Sequence, residues 1–312
     1  MFFIYWHNNS KSEAMKQQPT PRYFVGVDGG GTKCRAELYD SQGKLLGAGI
    51  SGSANIARHG NTATQSIATA VAQAFTAANV SDTEITETVV CAGLAGANLP
   101  SAAAALRQWQ HPFRAFHFTS DLATAIYGAH GGQNGAVLVI GTGSCAAAMV
   151  DGKLTQFGGH GFLLGDKGSG AWLGKQAVMY TLEALDGVVP QDELTAAVCN
   201  HYQCDTPTAL VDRLNQAHPG SFGEMCPAIL SLAGANLASA TALVTRGSAY
   251  LSDIARKAIT LSQGQLVMTG GVAEAMQPWL DSDIRDALTA TQFGPEWGAV
   301  LLHQKGDLGD AL

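Results

Sequence analysis

The sequence predicts an α/β protein built from two similar domains, and three observations predict it. A unit of strand, glycine-rich turn, strand, tight turn and strand begins at residue 23 and recurs at residue 136. Each copy then passes into alternating helical and apolar-strand segments. At 312 residues and 46% apolar content, the chain can bury cores for two domains.

The first copy opens with an apolar strand over 23–27 that runs into Asp28-Gly-Gly-Gly-Thr32. A second strand is expected over 34–39, a turn at Asp40-Ser-Gln-Gly43, and a third strand from Lys44. The Ala-rich stretch 61–79 reads as helix, and 88–91 as a strand ending in Gly93-Leu-Ala-Gly96. Residues 101–109 read as helix, 115–118 as a strand leading to Asp121, and 122–129 as helix-like. In the second copy, strand 136–140 runs into Gly141-Thr-Gly-Ser144. A small-residue strand to Val150, a turn at Asp151-Gly152 and a strand from Lys153 follow. Helices near 169–185, 191–202, 208–217, 222–233 and 237–262 then dominate. A buried strand at 265–268 ends in Thr269-Gly-Gly271, and 298–303 looks like a closing helix. The expected partition is a disordered lead over 1–20, a first domain over 21–122 and a second over 123–312. The closing helix is expected to pack back on the first domain.

Composition narrows the function. The formal net charge is −7 and no Lys/Arg cluster stands out, which argues against nucleic acid or an anionic membrane as partner. An acidic surface repels nucleotides at long range, so a phosphate site here must rely on local backbone N–H groups and a bound cation. No apolar run approaches the roughly 20 residues that span a bilayer. The six cysteines contain no C-x-x-C pair, which weakens zinc and iron–sulfur readings. Reduced thiols in a cytoplasmic protein are expected, without a Cys199–Cys204 disulfide. A homodimer is the default assembly.

Five segments can carry chemistry. In Asp28-Gly-Gly-Gly-Thr32, the glycines let backbone N–H groups approach an anion, and the aspartate suits a hydrated Mg²⁺. The alternative is a glycine-rich hairpin with an Asp for turn chemistry. It is neither a Walker sequence nor a dinucleotide fingerprint, because no Gly-Lys-Ser/Thr follows and a strand comes next. Gly141-Thr-Gly-Ser144 is a second cradle, weak alone and stronger as the partner of the first. Asp121 falls at the carboxyl end of a strand, where α/β folds place ligands; alternatively Ser120 or Asp121 simply caps a helix. The run 158–170 has a glycine density that suggests backbone near a ligand, with His160 and Asp166 as its polar groups, or else a flexible loop with a capping Asp. Thr269-Gly-Gly271 admits a flat ring against backbone, or serves close helix–strand packing.

Together these residues resemble the ASKHA superfamily, which includes acetate and sugar kinases and actin. Within it the chain looks like the BadF/BadG-type ATPase family that contains N-acetylglucosamine kinase and bacterial glucosamine kinase. The resemblance runs from about residue 23 to about 302. It implies two ribonuclease-H-like (actin-like ATPase) domains facing across a cleft. By position it implies that Asp28 holds Mg²⁺ through water. Gly30, Gly31 and Thr32, with Thr142, Gly143 and Ser144, would contact the phosphates of ATP. Asp121 would be the catalytic base, and Asn55 and Asp166, with His160 nearby, would bind the sugar. Gly270 and Gly271 would line the adenosine site. The runs Ser51-Gly-Ser-Ala-Asn-Ile56 and Gly141-Thr-Gly-Ser-Cys145 look like the glucosamine kinase branch. Where animal N-acetylglucosamine kinases tend to carry Trp and a Glu after the Asp, this chain has Leu163, Leu164 and Lys167. The cysteine-ligated cluster motif of the dehydratase activators and the zinc motif of the ROK kinases are absent.

The expected reaction is phosphorylation of glucosamine or N-acetylglucosamine at the 6-hydroxyl. An ATP-driven switch of the BadF type, a kinase for another sugar such as N-acetylmuramic acid, and a non-catalytic sugar sensor are the competing readings.

Overall fold

The structure is a computed structural model that describes residues 21–306; the expected disorder of 1–20 lies outside the described residues. The chain divides into two compact units, Met1–Phe118 and Thr119–Leu312.

The first unit contains β1 (Tyr23–Gly29), β2 (Cys34–Asp40), β3 (Leu45–Ser51), α1 (Ile56–His59), α2 (Asn61–Ala77), β4 (Val89–Leu94), α3 (Pro100–Gln108) and β5 (Ala115–Ser120), which runs just past the division. The sheet order is β3-β2-β1-β4-β5. β1 to β3 form an antiparallel meander and β4 lies parallel to β1. β4 is buried along its whole length, as expected of a parallel strand covered on both faces. Helix α2 turns Ile67, Ala70, Val71, Ala74 and Phe75 inward, an i, i+3, i+4 stripe set against β2 and β3. Each fully buried Ile or Phe of this kind contributes about 1.5–3 kcal/mol of transfer free energy. The helix backbone sits directly on β3, because a Cβ on Gly49 would lie 2.6 Å from the Gln73 Cβ.

The second unit contains α4 (Asp121–Ala129), β6 (Gly135–Ile140), β7 (Ser144–Val150), β8 (Lys153–Gly158), α5 (Gly170–Leu185), α6 (Glu193–Tyr202), α7 (Pro207–Leu214), α8 (Pro219–Gly223), α9 (Cys226–Gly234), α10 (Ala238–Ser262), β9 (Leu266–Thr269), α11 (Ala273–Met276), α12 (Ser282–Asp286) and α13 (Pro295–Lys305). Its sheet runs β8-β7-β6-β9, again an antiparallel meander with a parallel fourth strand. Leu288 adds one parallel bridge to Leu266 of β9. The two sheets therefore share one strand order. They differ in the connection to the fourth strand, which is chiefly α2 in the first unit and the run α5 to α10 in the second.

Several expectations change. The division falls at 118/119 rather than after 122, because α4 packs on β6, β7 and α13 and so belongs to the second unit. The closing helix α13 packs on α4. The helix read over 222–233 is two helices: α8 ends at Gly223, and Pro227 sits in the first turn of α9. Helix α6 starts at Glu193 because Asp192 caps it, its Oδ1 accepting from Leu194 N at 3.1 Å and Thr195 N at 3.2 Å. All six cysteines are free thiols. No single helix among the described residues is long and apolar enough to cross a membrane.

Candidate active site

In the first unit, parallel pairing sets Asp28 beside Gly93 and Gly29 beside Leu94, at the carboxyl ends of β1 and β4. Open α/β sheets gather ligands at that edge. Three segments are tied together there. Gly30 N donates to Lys33 O at 2.9 Å, closing the turn, and Gly30 O accepts from Ala54 N at 3.0 Å and Ser53 Oγ at 3.3 Å. Ala95 N donates to Gly29 O at 2.9 Å, and Ile56 N to Ala95 O at 3.2 Å. Asn55 lies in this cluster. Its Oδ1 accepts from Arg58 N at 3.1 Å and caps α1, close to Gly96.

Why this turn needs three glycines is decided by the space around each. A Cβ on Gly29 would meet Leu94 Cδ2 at 2.5 Å, so packing demands that glycine. A Cβ on Gly30 would have only ordinary contact, 3.5 Å to Lys33 O, and one on Gly31 would meet nothing within 4 Å. Neither residue has a left-handed φ. The fold itself does not require glycine at 30 or 31, whereas the close approach of an anion to backbone N–H groups would. Thr32 is exposed beside them.

In the second unit, three glycine-rich segments knit together at the carboxyl end of β6. Gly141 N donates to Gly143 O, and Gly170 N to Gly141 O, both at 2.9 Å. Val272 N donates to Ile140 O at 3.0 Å. Gly270, at φ 108°, packs on the Ile140 backbone, so its role is structural, while Gly271 is exposed with room for a Cβ. Thr142 is exposed at the turn tip. A Cβ on Gly143 would come within 2.9 Å of Asp166 Oδ2, so the turn lies close against that carboxylate.

Ser144, expected on the phosphates, spends its donors inside the protein. Its hydroxyl donates to Lys167 O at 3.0 Å, its N–H goes to the Asp166 carboxylate, and it is buried. It braces the turn against the loop 158–170.

Asp121 is the first residue of α4. Ser120 supplies the cap, its Oγ accepting from Ala123 N at 3.2 Å, so Asp121 is relieved of that duty. Asp121 Oδ1 accepts from Leu122 N at 2.9 Å, and Thr124 Oγ1 donates to Asp121 O at 3.0 Å. Burial raises its pKa above the usual carboxylate range, and backbone N–H donors offset part of that rise.

Asp166 is buried and holds a left-handed φ of 55°. Burial raises its pKa, countered by the N–H groups of Gly161 and Ser144 and by His160. His160 itself is exposed. Both carboxylates act on Cys145, whose thiol burial, then Asp121, then Asp166 push up to about 12. Tyr250 of α10 is also raised, by burial and then by Asp166 and Cys145, and Lys167 Nζ lies 5.6 Å from its ring centroid. Asp121, Cys145, Asp166 and Tyr250 thus form one electrostatic cluster.

No group of three or more His, Cys, Asp or Glu among the described residues could hold a metal. A divalent ion would rest on a single carboxylate, waters and phosphate oxygens, a set that suits Mg²⁺. Asp28 fits that part, being partly exposed at the strand end that feeds the open Gly30–Gly31 turn.

One contributor, Tyr250, went unread in the sequence: it had no local signal, because packing of α10 brings it in from a distance in sequence. Cys145 and Lys167 lie inside segments already singled out, beside Ser144 and Asp166, but their part in the cluster shows only in the fold.

The family model described as the BadF/BadG/BcrA/BcrD ATPase family matches residues 25–303. The chain belongs to the BadF/BadG/BcrA/BcrD ATPase family. It is 34% identical to the glucosamine kinase GspK of Vibrio cholerae, over 91% of this chain and 96% of that protein. Identity to an N-acetyl-D-glucosamine kinase of Dictyostelium discoideum is 27%, over 58% of this chain and 60% of that one. The crystal structure of a candidate N-acetylglucosamine kinase from Chromobacterium violaceum matches with a TM-score of 0.83 at 31% identity, over 91% of this chain and 99% of its own. A ROK hexokinase from Thermus thermophilus matches with a TM-score of 0.53 at 16% identity, over 91% and 99%, which speaks to fold alone. This BadF-family chain has the two-sheet α/β fold of the actin-like ASKHA sugar kinases.

Proposed function

We propose that the chain is an ATP-dependent kinase that phosphorylates an amino sugar, glucosamine or N-acetylglucosamine, at its 6-hydroxyl. The products are the hexosamine 6-phosphate and ADP. One observation carries the reading. Asp121 stands at the carboxyl end of a strand, free of capping duty, with a carboxylate that burial makes more basic than an exposed one. Such a group suits proton acceptance from an alcohol at neutral pH. The similarity to glucosamine and N-acetylglucosamine kinases supports the choice of acceptor.

As the sugar O6 attacks the γ-phosphorus in line, its proton passes to Asp121. The O6–P bond forms, and the bond from the γ-phosphorus to the bridging oxygen breaks, leaving ADP. Phosphoryl transfer needs mainly positioning and charge neutralisation. Gly30, Gly31 and Thr32, with Thr142 and Gly143, supply N–H and hydroxyl donors to the phosphates. Bound near Asp28, Mg²⁺ would neutralise charge on the phosphate oxygens. Asp166 and the Asn55 amide orient the sugar hydroxyls, with His160 at the rim, and Gly271 gives the adenine ring room against backbone. We place the enzyme in the cytoplasm, as a homodimer acting on small molecules rather than on nucleic acid or membrane.

Asp121→Asn tests the reading. ATP affinity should stay within about twofold while turnover falls by about 10²–10⁴. Near-normal turnover in a folded Asp121→Asn protein contradicts it.

A further inference from the structure

Helix α4, which begins with Asp121, is gripped by α13 and the segment before it in a backbone-to-backbone contact. A Cβ on Gly298 would overlap Thr124 O and lie 2.5 Å from Gly128 N and 3.0 Å from Gly128 Cα. From the other side, a Cβ on Gly128 would overlap Gly294 O and lie 2.8 Å from Gly294 C. The same segment closes the end of α4: Gln292 N donates to Ala129 O and Phe293 N to Gly128 O, both at 3.0 Å. These bonds take up carbonyls that a helix end leaves unsatisfied. Thr124, which is fully buried under Gly298, donates its hydroxyl to Asp121 O. A continuous chain of contacts therefore runs from Gly298 through Thr124 to Asp121.

We propose that Gly298 is a positioning residue for the phosphoryl transfer, fixing through Thr124 and Gly128 the helix on which Asp121 stands. The inference rests on Asp121 being the base. The overlap with Thr124 O is tighter than the 2.5 Å contact with Gly128 N, so relieving both to ordinary Cβ contact requires α4 to move by more than about 1 Å away from α13. Near-attack geometry tolerates such displacements poorly, and about 1 Å can cost on the order of 10²-fold in rate.

The test compares Gly298→Ala, Asp121→Asn and Gly49→Ala across pH. Gly49 seats α2 on β3 in the first unit by an equally tight contact, with Gln73 Cβ at 2.6 Å and Ala74 N at 2.8 Å. Cys145 of β7 is in electrostatic contact with Asp121, and Asp166 also faces it. Helix α13 carries Glu296, His303 and Lys305; the last donates to Gly132 O and lies 5.5 Å from the Tyr127 ring centroid. In Gly298→Ala, kcat should fall about 10- to 100-fold. The KM for ATP should hold within about twofold, and the acid limb of the kcat profile should move to lower pH as Asp121 loses burial. Gly49→Ala should lose stability without moving the limb. An unchanged kcat and limb in folded Gly298→Ala overturns the proposal, as does the same kcat loss in Gly49→Ala with no limb shift in either. If Gly298→Ala does not fold, Thr124→Val replaces it: a kcat loss with a shifted limb supports the proposal, and wild-type values overturn it. Should Asp121→Asn keep its turnover, the base assignment fails instead, and the two failures are distinct.

Discussion

Gly31→Ala isolates the phosphate cradle from the fold that carries it. A Cβ at residue 31 meets nothing within 4 Å and the backbone there is not left-handed. In the ligand-free protein the substitution should therefore be neutral or stabilising, by up to about 1 kcal/mol, through reduced freedom of the unfolded chain. That corresponds to a Tm change between zero and about +4 °C for units of this size. With nucleotide present, the same methyl group stands where a phosphate oxygen should approach the N–H groups. Loss of one charge-assisted hydrogen bond, about 1.5–3 kcal/mol, raises the KM for ATP about 10- to 100-fold. Gly29→Ala should do the reverse. Its Cβ would press on Leu94 Cδ2 at 2.5 Å and Ala54 Cβ at 3.0 Å, an overpacking cost of about 1–3 kcal/mol. Differential scanning fluorimetry and coupled ADP release at varied ATP read both quantities. An unchanged KM for ATP in Gly31→Ala refutes the claim that this turn holds phosphate.

Other residues make further predictions. Because burial raises the folded-state pKa of Asp121, the wild type loses stability as pH climbs from the unfolded value through the folded one. Asp121→Asn should therefore melt higher than wild type at pH 7, with the gap closing in acid; a lower Tm at pH 7 contradicts the burial account. Asp166→Ala removes the acceptor for the Gly161 and Ser144 N–H groups. Sugar KM should rise at least about 10-fold while ATP KM changes little, and equal effects on both would argue that Asp166 serves only the turn. Cys145, pushed up to about 12, should resist iodoacetamide at pH 8 in the native protein, as peptide mass spectrometry would show. Labelling at the rate of a free thiol would place it outside the cluster.

Sheet architecture was legible because it is written locally. Each strand, turn and strand repeat fixes a hairpin by its own alternation and glycines, and the same signal at 23–44 and 136–153 returned the same strand order twice. The ends of helices were legible only where side chains mark them, and Asp192 moved the start of α6 by two residues. What the sequence hid depends on packing between distant segments. Asp121 joins the second unit because α13, some 170 residues later, lies on its helix. A single sequence also cannot rank glycines. Gly29 and Gly270 serve packing while Gly31 and Gly271 serve nothing in the fold, and only the surrounding atoms separate them. The bracing bonds of Ser144 were hidden for the same reason, since its partners Lys167 and Asp166 lie more than twenty residues away.

The most direct test of the whole account is ADP release by the purified full chain with ATP and Mg²⁺, scanned across amino sugars and plain hexoses, with the product resolved by NMR. Glucosamine or N-acetylglucosamine should stimulate ADP release stoichiometrically with a 6-phosphate. ATP turnover indifferent to every sugar would contradict the kinase assignment and favour an ATP-driven switch.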